Sequence, residues 1–543
     1  MSERDAMSAL DVGKVIESAR AERAARALAI TAALQESRSA TYVSFLRDRA
    51  AQWQDREALA FADRRWTYGQ LFDRIDRARS ALHERGVGPG SIVALVMNNS
   101  DHYVVWYFAV LGLGAIGVPM NNRLVAREAA YVFEHSQAML VVTEPGFEPL
   151  LDEVKCEHAV DLPRLVLDPS NADSGLSPRR HQADVAVSID DPAALYYTSG
   201  TTGKPKGVVH SHATLIADAL QSSMAWEYEL QGLRSLAVTP LFHIAAHTTF
   251  FNGGSLTVAT YATEVTIELI RSRDINAFFA VPSILLLMAD KARAMGITLP
   301  SVRTVMFGAA PMTISKLGEV QALFPRAGLV HGMGQTESGG TLVTLPSRLA
   351  VARAGSVGMS MAGVSVAIFD ERDRPVPAGQ IGELVARGPN VMLGYYRNAD
   401  ATAETLRKGW LHTGDLGFLD QDGLVTLVDR KKDMIIRGGE NIYSCEVEQV
   451  LMRHPSVKSA AVVGQPDALF GEQVAAFVVT DPDLPAVKED ELVLHCRLHL
   501  ADFKVPVTFR FMGQLPLTAT GKIVKGDLRQ SLPPYQRPAA TSP

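Results

Sequence analysis

Cysteine is scarce in this chain. Only Cys156, Cys445 and Cys496 occur among 543 residues, far apart and with no close pair. That excludes a disulfide framework, supplies no zinc-ligand spacing and fits a reducing cytoplasm. Excess positive charge is missing as well: 53 Lys and Arg against 59 Asp and Glu leave a net charge of −6. There is therefore no general electrostatic reason to bind nucleic acid, and any phosphate ligand has to be met locally. The opening residues carry a charge every few positions and lack the apolar core of a signal peptide, so secretion is not expected. One uncharged run, 103–120, reaches the lower length limit of a membrane span. It contains Gly112, Gly114, Gly117 and Pro119 and reads as a buried helix over 103–113 followed by a buried strand, so no integral membrane span is expected. No internal repeat or low-complexity tract is apparent.

What is present is apolar content of 47% over 543 residues, ample for one large and one small domain. Residues 1–38, rich in Ala, Arg and Glu, read as a helical extension. From Tyr42 onward helical and strand patterns alternate, with a helix over 68–84 and strands over 92–97 and 139–143. That rhythm predicts an α/β fold with layered parallel strands. A strand over 424–428 followed by the charged run 429–433 marks a boundary near 430. Beyond it, a helix over 444–453, strands over 457–463 and 473–479 and a helix over 488–498 suffice for a small α+β domain. The expected organisation is an extension (1–38), a large domain (39–431) and a small domain (432–543).

The most informative stretch is YTSGTTGKPKG, residues 197–207, in which nine of eleven residues are Thr, Ser, Gly or Lys. Glycines let backbone N–H groups approach an anion, hydroxyls add rotatable donors, and Lys204 and Lys206 add point charges. It reads as a phosphate-handling loop built from Thr198, Ser199, Gly200, Thr201, Thr202, Gly203 and Lys206; the alternative is a polar surface turn. A Walker-type loop is excluded. Only Thr201 and Thr202 separate Gly200 from Gly203, Lys204 is followed by Pro205, and the apolar pair Val208 and Val209 precedes a helix expected over 211–224. The order is strand, loop, strand, helix. At this point the segment resembles the signature of the adenylate-forming enzymes, which include acyl-CoA synthetases, luciferases and the adenylation domains of peptide synthetases.

Six further segments match that family in its order, and the resemblance spans roughly 40–530. It implies a large multi-layer α/β domain followed by a small mobile α+β domain. It also implies roles for the segments. In TPLFHI (239–244), Phe242 and His243 border the carboxylate pocket; read alone, His243 is a core histidine. In MFGAAP (306–311), Gly308, Ala309 and Ala310 adjoin adenine and the acyl group. In GMGQTE (332–337), Gly334 and Gln335 contact the nucleotide, Thr336 donates to the α-phosphate and Glu337 holds Mg²⁺; Met333 stands where many relatives stack an aromatic ring on adenine. In GWLHTGD (409–415), Asp415 takes the ribose hydroxyls, and Arg430 also reaches the nucleotide; by itself Asp415 is a turn-capping residue. In IRGGENIY (436–443), Gly438 and Gly439 leave room for the pantetheine arm, or simply make a tight turn. Lys432 sits at the hinge, and Ser444 replaces a proline found in many relatives. In PLTATGK (516–522), Lys522 is the catalytic lysine, joining Thr336 and Glu337 in the catalytic set.

Chemistry gives these roles a reason. In-line attack of a carboxylate on a phosphate brings two anions together, so the site must supply a metal, hydroxyl donors and lysine. The resemblance thus implies a two-step ligase using a small-molecule carboxylic acid, ATP with Mg²⁺, and CoA, with homodimerisation an open expectation. Ala245, Ala246, Phe250 and Phe251 suggest an apolar cavity for fatty, aryl or alicyclic acids alike. The segment GELVARG (382–388) lacks the Cys of the plant hydroxycinnamate ligases. Two alternatives stay open: an acyl-adenylate ligase loading a carrier protein, and a non-catalytic nucleotide-binding protein.

Overall fold

The computed structural model describes residues 9–36, 41–180, 187–198, 204–225, 227, 232–243, 248–308, 310, 312, 314–482, 484–517 and 523–536. The chain packs as two compact units, Met1–Val366 with Val385–His412, and Ala367–Leu384 with Thr413–Pro543.

The larger unit is α/β and, among the described residues, holds two sheets in full. One, seven-stranded among the described residues, runs in the order Gly394–Tyr395, Lys206–Ser211, Pro192–Thr198, Ile116–Pro119, Ile92–Val96, Leu140–Thr143 and Arg164–Val166. Its last five strands are mutually parallel, whereas Lys206–Ser211 is antiparallel to both of its neighbours. The other, nine-stranded, begins at one edge with Met359–Ser360, Val343–Leu345, Gly328–Met333 and Thr304–Gly308. The uncharged run forms the helix Asp101–Gly112, started by Ser100, whose hydroxyl accepts from Tyr103 N, and every residue of it is buried. The strand Ile116–Pro119 follows, also buried throughout. Among the described residues no helix is long and apolar enough to cross a membrane. The helix Tyr68–His83 opens on a reciprocal capping box between Thr67 and Gln70.

The smaller unit contains the antiparallel pair Trp410–Leu419 and Val425–Arg430, although the first residues of Trp410–Leu419 belong to the larger unit. It also has a sheet ordered Glu440–Ile442, Ile435–Arg437, Gly471–Thr480, Val457–Asp467, with Thr508–Phe511 beside Gly471–Thr480. Period-two alternation divides the long strand Val457–Asp467 between two cores. Val462 packs with Val447 and Leu492 from the helices Ser444–Leu451 and Glu489–His499, while Ala461 and Val463 pack with Leu528 of the helix Lys525–Gln530.

Candidate active site

The phosphate-loop segment joins two strands of a hairpin in which Thr198 lies opposite Lys206 and Tyr197 opposite Gly207. Ser199, Gly200, Thr201, Thr202 and Gly203 lie outside the described residues. The short strand Gly394–Tyr395 adds to the same hairpin, opposite Val209 and Val208, and brings the Tyr395 ring to 4.8 Å from Lys206 Nζ. A cation over an aromatic face is attracted by the ring quadrupole. The Tyr395 hydroxyl donates to Glu337 Oε1 at 2.9 Å. Burial and the Glu337 carboxylate both push the phenol upward, so it stays protonated and remains a donor. Lys206 and Glu337 are therefore joined through one aromatic side chain.

Glu337 rides on the single turn Thr336–Ser338, entered from the strand Gly328–Met333. The turn is tightly specified. A Cβ on Gly334 would collide with Gly340 O, and Gly339 takes a φ of +74° with its N–H on Thr336 O. Ser338 Oγ donates back to Gln335 O at 2.8 Å, and Gly340 N to Gln335 O at 3.1 Å. Asn390, fully buried, donates to Ser338 O at 2.7 Å and to Thr341 O at 3.2 Å. From the phosphate hairpin, His210 Nε2 donates to Thr336 O at 2.7 Å, while its Nδ1 lies 3.0 Å from Thr214 Oγ1. Burial brings this imidazole down to about 4, so it is neutral, with Nε2 carrying the proton and Nδ1 accepting from the threonine. Asp218 stands behind Gly339, and burial raises its carboxyl well above the usual range.

Of the remaining candidates in this unit, Met333 ends the strand and its carbonyl accepts from Leu342 N at 2.8 Å. Gly308 lies opposite Gly332 on the neighbouring parallel strand, and a Cβ there would strike Gly332 O; the strand pair alone requires glycine. Ala310 is exposed and Ala309 lies outside the described residues. Phe242 is buried with its ring 4.6 Å from that of His243, which is exposed rather than in the core. Ala245 and Ala246 are outside the described residues. Phe250 and Phe251 are fully buried against Tyr68, Phe108, Tyr42 and Phe45, and this aromatic packing accounts for both.

In the smaller unit Asp415 and Arg430 are register partners across the antiparallel pair, and Arg430 Nε reaches Asp415 Oδ1 at 2.7 Å. Thr413 Oγ1 accepts from Asp415 N at 3.1 Å. Lys432 is exposed in the turn that follows, its carbonyl accepting from Arg529 Nη2 at 3.4 Å. Gly438 and Gly439, with φ of +61° and +89°, make the two-residue turn of the hairpin Ile435–Arg437 and Glu440–Ile442, a turn with positive φ at both central positions. Ser444 has a local reason: its N–H and its hydroxyl both donate to Asp429, and Lys525 Nζ donates to its hydroxyl at 2.7 Å. Proline could supply neither donor. Lys522 lies outside the described residues; the bridge between Leu517 and Ile523 closes the base of its loop.

The family model described as "AMP-binding enzyme" matches residues 46–396, and the model of the AMP-binding enzyme C-terminal domain matches 446–522. The chain belongs to the AMP-binding enzyme family. Among curated proteins this AMP-binding enzyme is 34% identical to a feruloyl-CoA synthase of an Amycolatopsis species, over 86% of this chain and 93% of that protein. It is 35% identical to the fatty acid–[acyl-carrier-protein] ligase ScoC of Streptomyces coeruleorubidus, over 85% and 91%. Among solved structures, the o-succinylbenzoate CoA synthetase of Bacillus subtilis in complex with its acyl-adenylate intermediate superposes with a TM-score of 0.79 at 29% identity, covering 89% of this chain and 97% of that one.

Three polar side chains of this AMP-binding enzyme escaped the sequence reading: His210, Tyr395 and Asn390. Each holds the Thr336–Glu337 turn from a distant part of the chain. The available signal was an imidazole at position 210 directly after the apolar pair Val208 and Val209, where both ring nitrogens need partners; nothing in the sequence named those partners.

Proposed function

We propose that this AMP-binding enzyme is an ATP-dependent carboxylic acid–CoA ligase. The observation that carries the reading is the Lys206–Tyr395–Glu337 cluster beside the phosphate hairpin, with His210 holding Thr336 on the same turn. A cation, hydroxyl donors and a carboxylate thereby meet where a triphosphate is expected. Glu337 supplies the hard oxygen ligand that Mg²⁺ takes when one carboxylate and substrate phosphates share it, and the ion would neutralise phosphate charge. In the first step an acid carboxylate oxygen attacks the α-phosphorus of ATP, and pyrophosphate leaves with the broken P–O bond. Thr336 donates to an α-phosphate oxygen, Lys206 offsets charge along the phosphates, and Lys522 bridges the carboxylate and the α-phosphate. Asp415 and Arg430 orient the ribose, and Gly308, Ala309, Ala310, Gly334 and Gln335 leave backbone accessible to the base. In the second step the CoA thiolate attacks the acyl carbon and AMP departs, the pantetheine arm passing Gly438 and Gly439. Lys432 is the hinge between the steps, dividing domains 39–431 and 432–543.

The acid is apolar: fatty, aryl or alicyclic. Similarity to a feruloyl-CoA synthase and to a fatty acid–carrier-protein ligase supports that class. The second of these favours one further reading, transfer to a carrier-protein phosphopantetheine. The test is mass spectrometry of the purified protein with MgATP, CoA and a panel of aliphatic, aryl and alicyclic acids. AMP with one dominant acyl-CoA is the expected result. Acyl-AMP without thioester would move the acceptor to a carrier protein, and neither product from any acid would return the non-catalytic binder.

A further inference from the structure

The helix Ala9–Glu36 precedes the matched family segment, which begins at residue 46. Its buried residues Val12, Ile16, Ala19 and Ile30 follow one stripe, and the helix packs against the helix His212–Ala225. Arg23, four residues after Ala19, falls on that stripe where the spacing calls for an apolar side chain. What it meets is three backbone carbonyls and one hydroxyl. Nη1 donates to Met359 O at 2.6 Å and to Ser360 O, and Nη2 donates to Thr344 Oγ1 at 2.7 Å and Thr344 O at 3.2 Å. Thr344 and Met359 are register partners on the two outermost strands at one edge of the nine-stranded sheet. Carbonyls at such an edge need donors, and a guanidinium offers several in a fixed fork. On its other side Thr344 pairs with Gly332, and Val343 with Met333. The same pair of strands is closed at its tip by the turn carrying Thr336 and Glu337.

We propose that Arg23 is a positioning residue for the Thr336–Glu337 turn, so that the N-terminal helix acts as a brace for adenylation. By tying Thr344 to Met359 and Ser360, Arg23 stiffens the strand on which the turn-bearing strand depends for its register. A cleft of about 230 Å³, lined in part by Arg23, Arg26, Gln221 and Arg348, opens beside the guanidinium and gives a small cation a path to it.

The test uses full-length Arg23→Ala and Arg23→Lys, with Thr344→Val as a milder variant should Arg23→Ala not fold. Hydrogen exchange of the ligand-free protein is the first readout and is independent of the activity. Arg23→Ala is expected to speed exchange at least tenfold in peptides covering 333–341, with the strands Ile92–Val96 and Leu140–Thr143 unchanged. Acceleration confined to 343–361 would overturn the proposal. The kinetic arm rests on the adenylation reading above. In acid-dependent pyrophosphate exchange, kcat should fall at least tenfold and half-saturating Mg²⁺ rise at least threefold. Millimolar methylguanidine should restore part of the rate, and Arg23→Lys should fall between. A folded Arg23→Ala enzyme with both parameters within twofold of wild type also overturns the proposal. Inactive wild-type protein would instead count against the ligase reading, while the exchange readout would still decide on Arg23.

Discussion

His210→Leu isolates one hydrogen bond of the Thr336–Glu337 turn while conserving bulk. Leucine fills the buried site but removes the donor that meets Thr336 O at 2.7 Å and the acceptor facing Thr214 Oγ1. Neither partner is stranded: Gly339 N still reaches Thr336 O at 3.1 Å, and the Thr214 hydroxyl turns its proton to Ser211 O, 3.0 Å away. The stability cost is therefore at the low end for a buried hydrogen bond, about 1 kcal/mol. The kinetic cost is larger. Thr336 is both the residue whose carbonyl His210 holds and the proposed donor to the α-phosphate, and a displacement near 1 Å in such a group costs on the order of 100-fold. We expect kcat/KM for pyrophosphate exchange to fall roughly 10- to 100-fold, or about 1.4–2.7 kcal/mol of barrier. His210→Gln, which retains an N–H donor of similar reach, should stay within about fivefold of wild type. Paired thermal melts separate this from unfolding. A His210→Leu enzyme that exchanges at the wild-type rate would refute the reasoning, and equal loss in Leu and Gln variants with unchanged melting would show that ring shape, not the hydrogen bond, is what matters.

Four further outcomes are expected. Lys522→Ala should nearly abolish adenylation yet leave thioester formation from supplied acyl-AMP largely intact; equal loss of both half-reactions would contradict the division of labour. Tyr395→Phe removes the donor to Glu337 Oε1 and should lower exchange roughly 13-fold, as follows from a charged hydrogen bond worth about 1.5 kcal/mol, and shift the Mg²⁺ titration; an unchanged titration would detach Tyr395 from the metal. His210, His212 and His331 are each brought down to about 4, chiefly by burial. Their stabilisation is complete above the unfolded value near 6.5 and lost as pH falls towards 4, so each should cost about 2 kcal/mol between pH 7.5 and 5; urea unfolding that is flat over that window would exclude it. For Asp218, raised by burial, the sign is opposite, since stability is lost as pH climbs above the ordinary carboxylate range. Asp218→Asn should therefore raise the urea midpoint at pH 7.5 and not at pH 4, and a lower midpoint at both would contradict this account.

The secondary structure around the site was legible because period and punctuation are local. A helix expected over 211–224 is observed as His212–Ala225, and the uncharged run 103–120 resolves into a helix and a buried strand. The glycine pair at 438–439 is a tight turn in the structure, as its composition suggests. Residue order also carried the family: the phosphate-loop composition and its failure against the Walker spacing led to the adenylate-forming enzymes, and the family match over 46–396 agrees.

Partnership was not legible. His210 and Thr336 stand 126 residues apart, Tyr395 and Glu337 58 apart, and Arg23 reaches Met359 across 336. Periodicity reports which face of an element is buried, and a buried His or half-buried Arg on such a face says only that some partner must exist. Which carbonyl it meets depends on the order of strands in the sheet, above all on the placing of Gly394–Tyr395 beside Lys206–Ser211 and of Met359–Ser360 at the sheet edge. By itself the sequence determined the elements, the family and the residue types that phosphate chemistry requires. The tertiary structure alone decided what holds the Thr336–Glu337 turn in place, because strand order is set by packing over the whole unit and no local pattern encodes it.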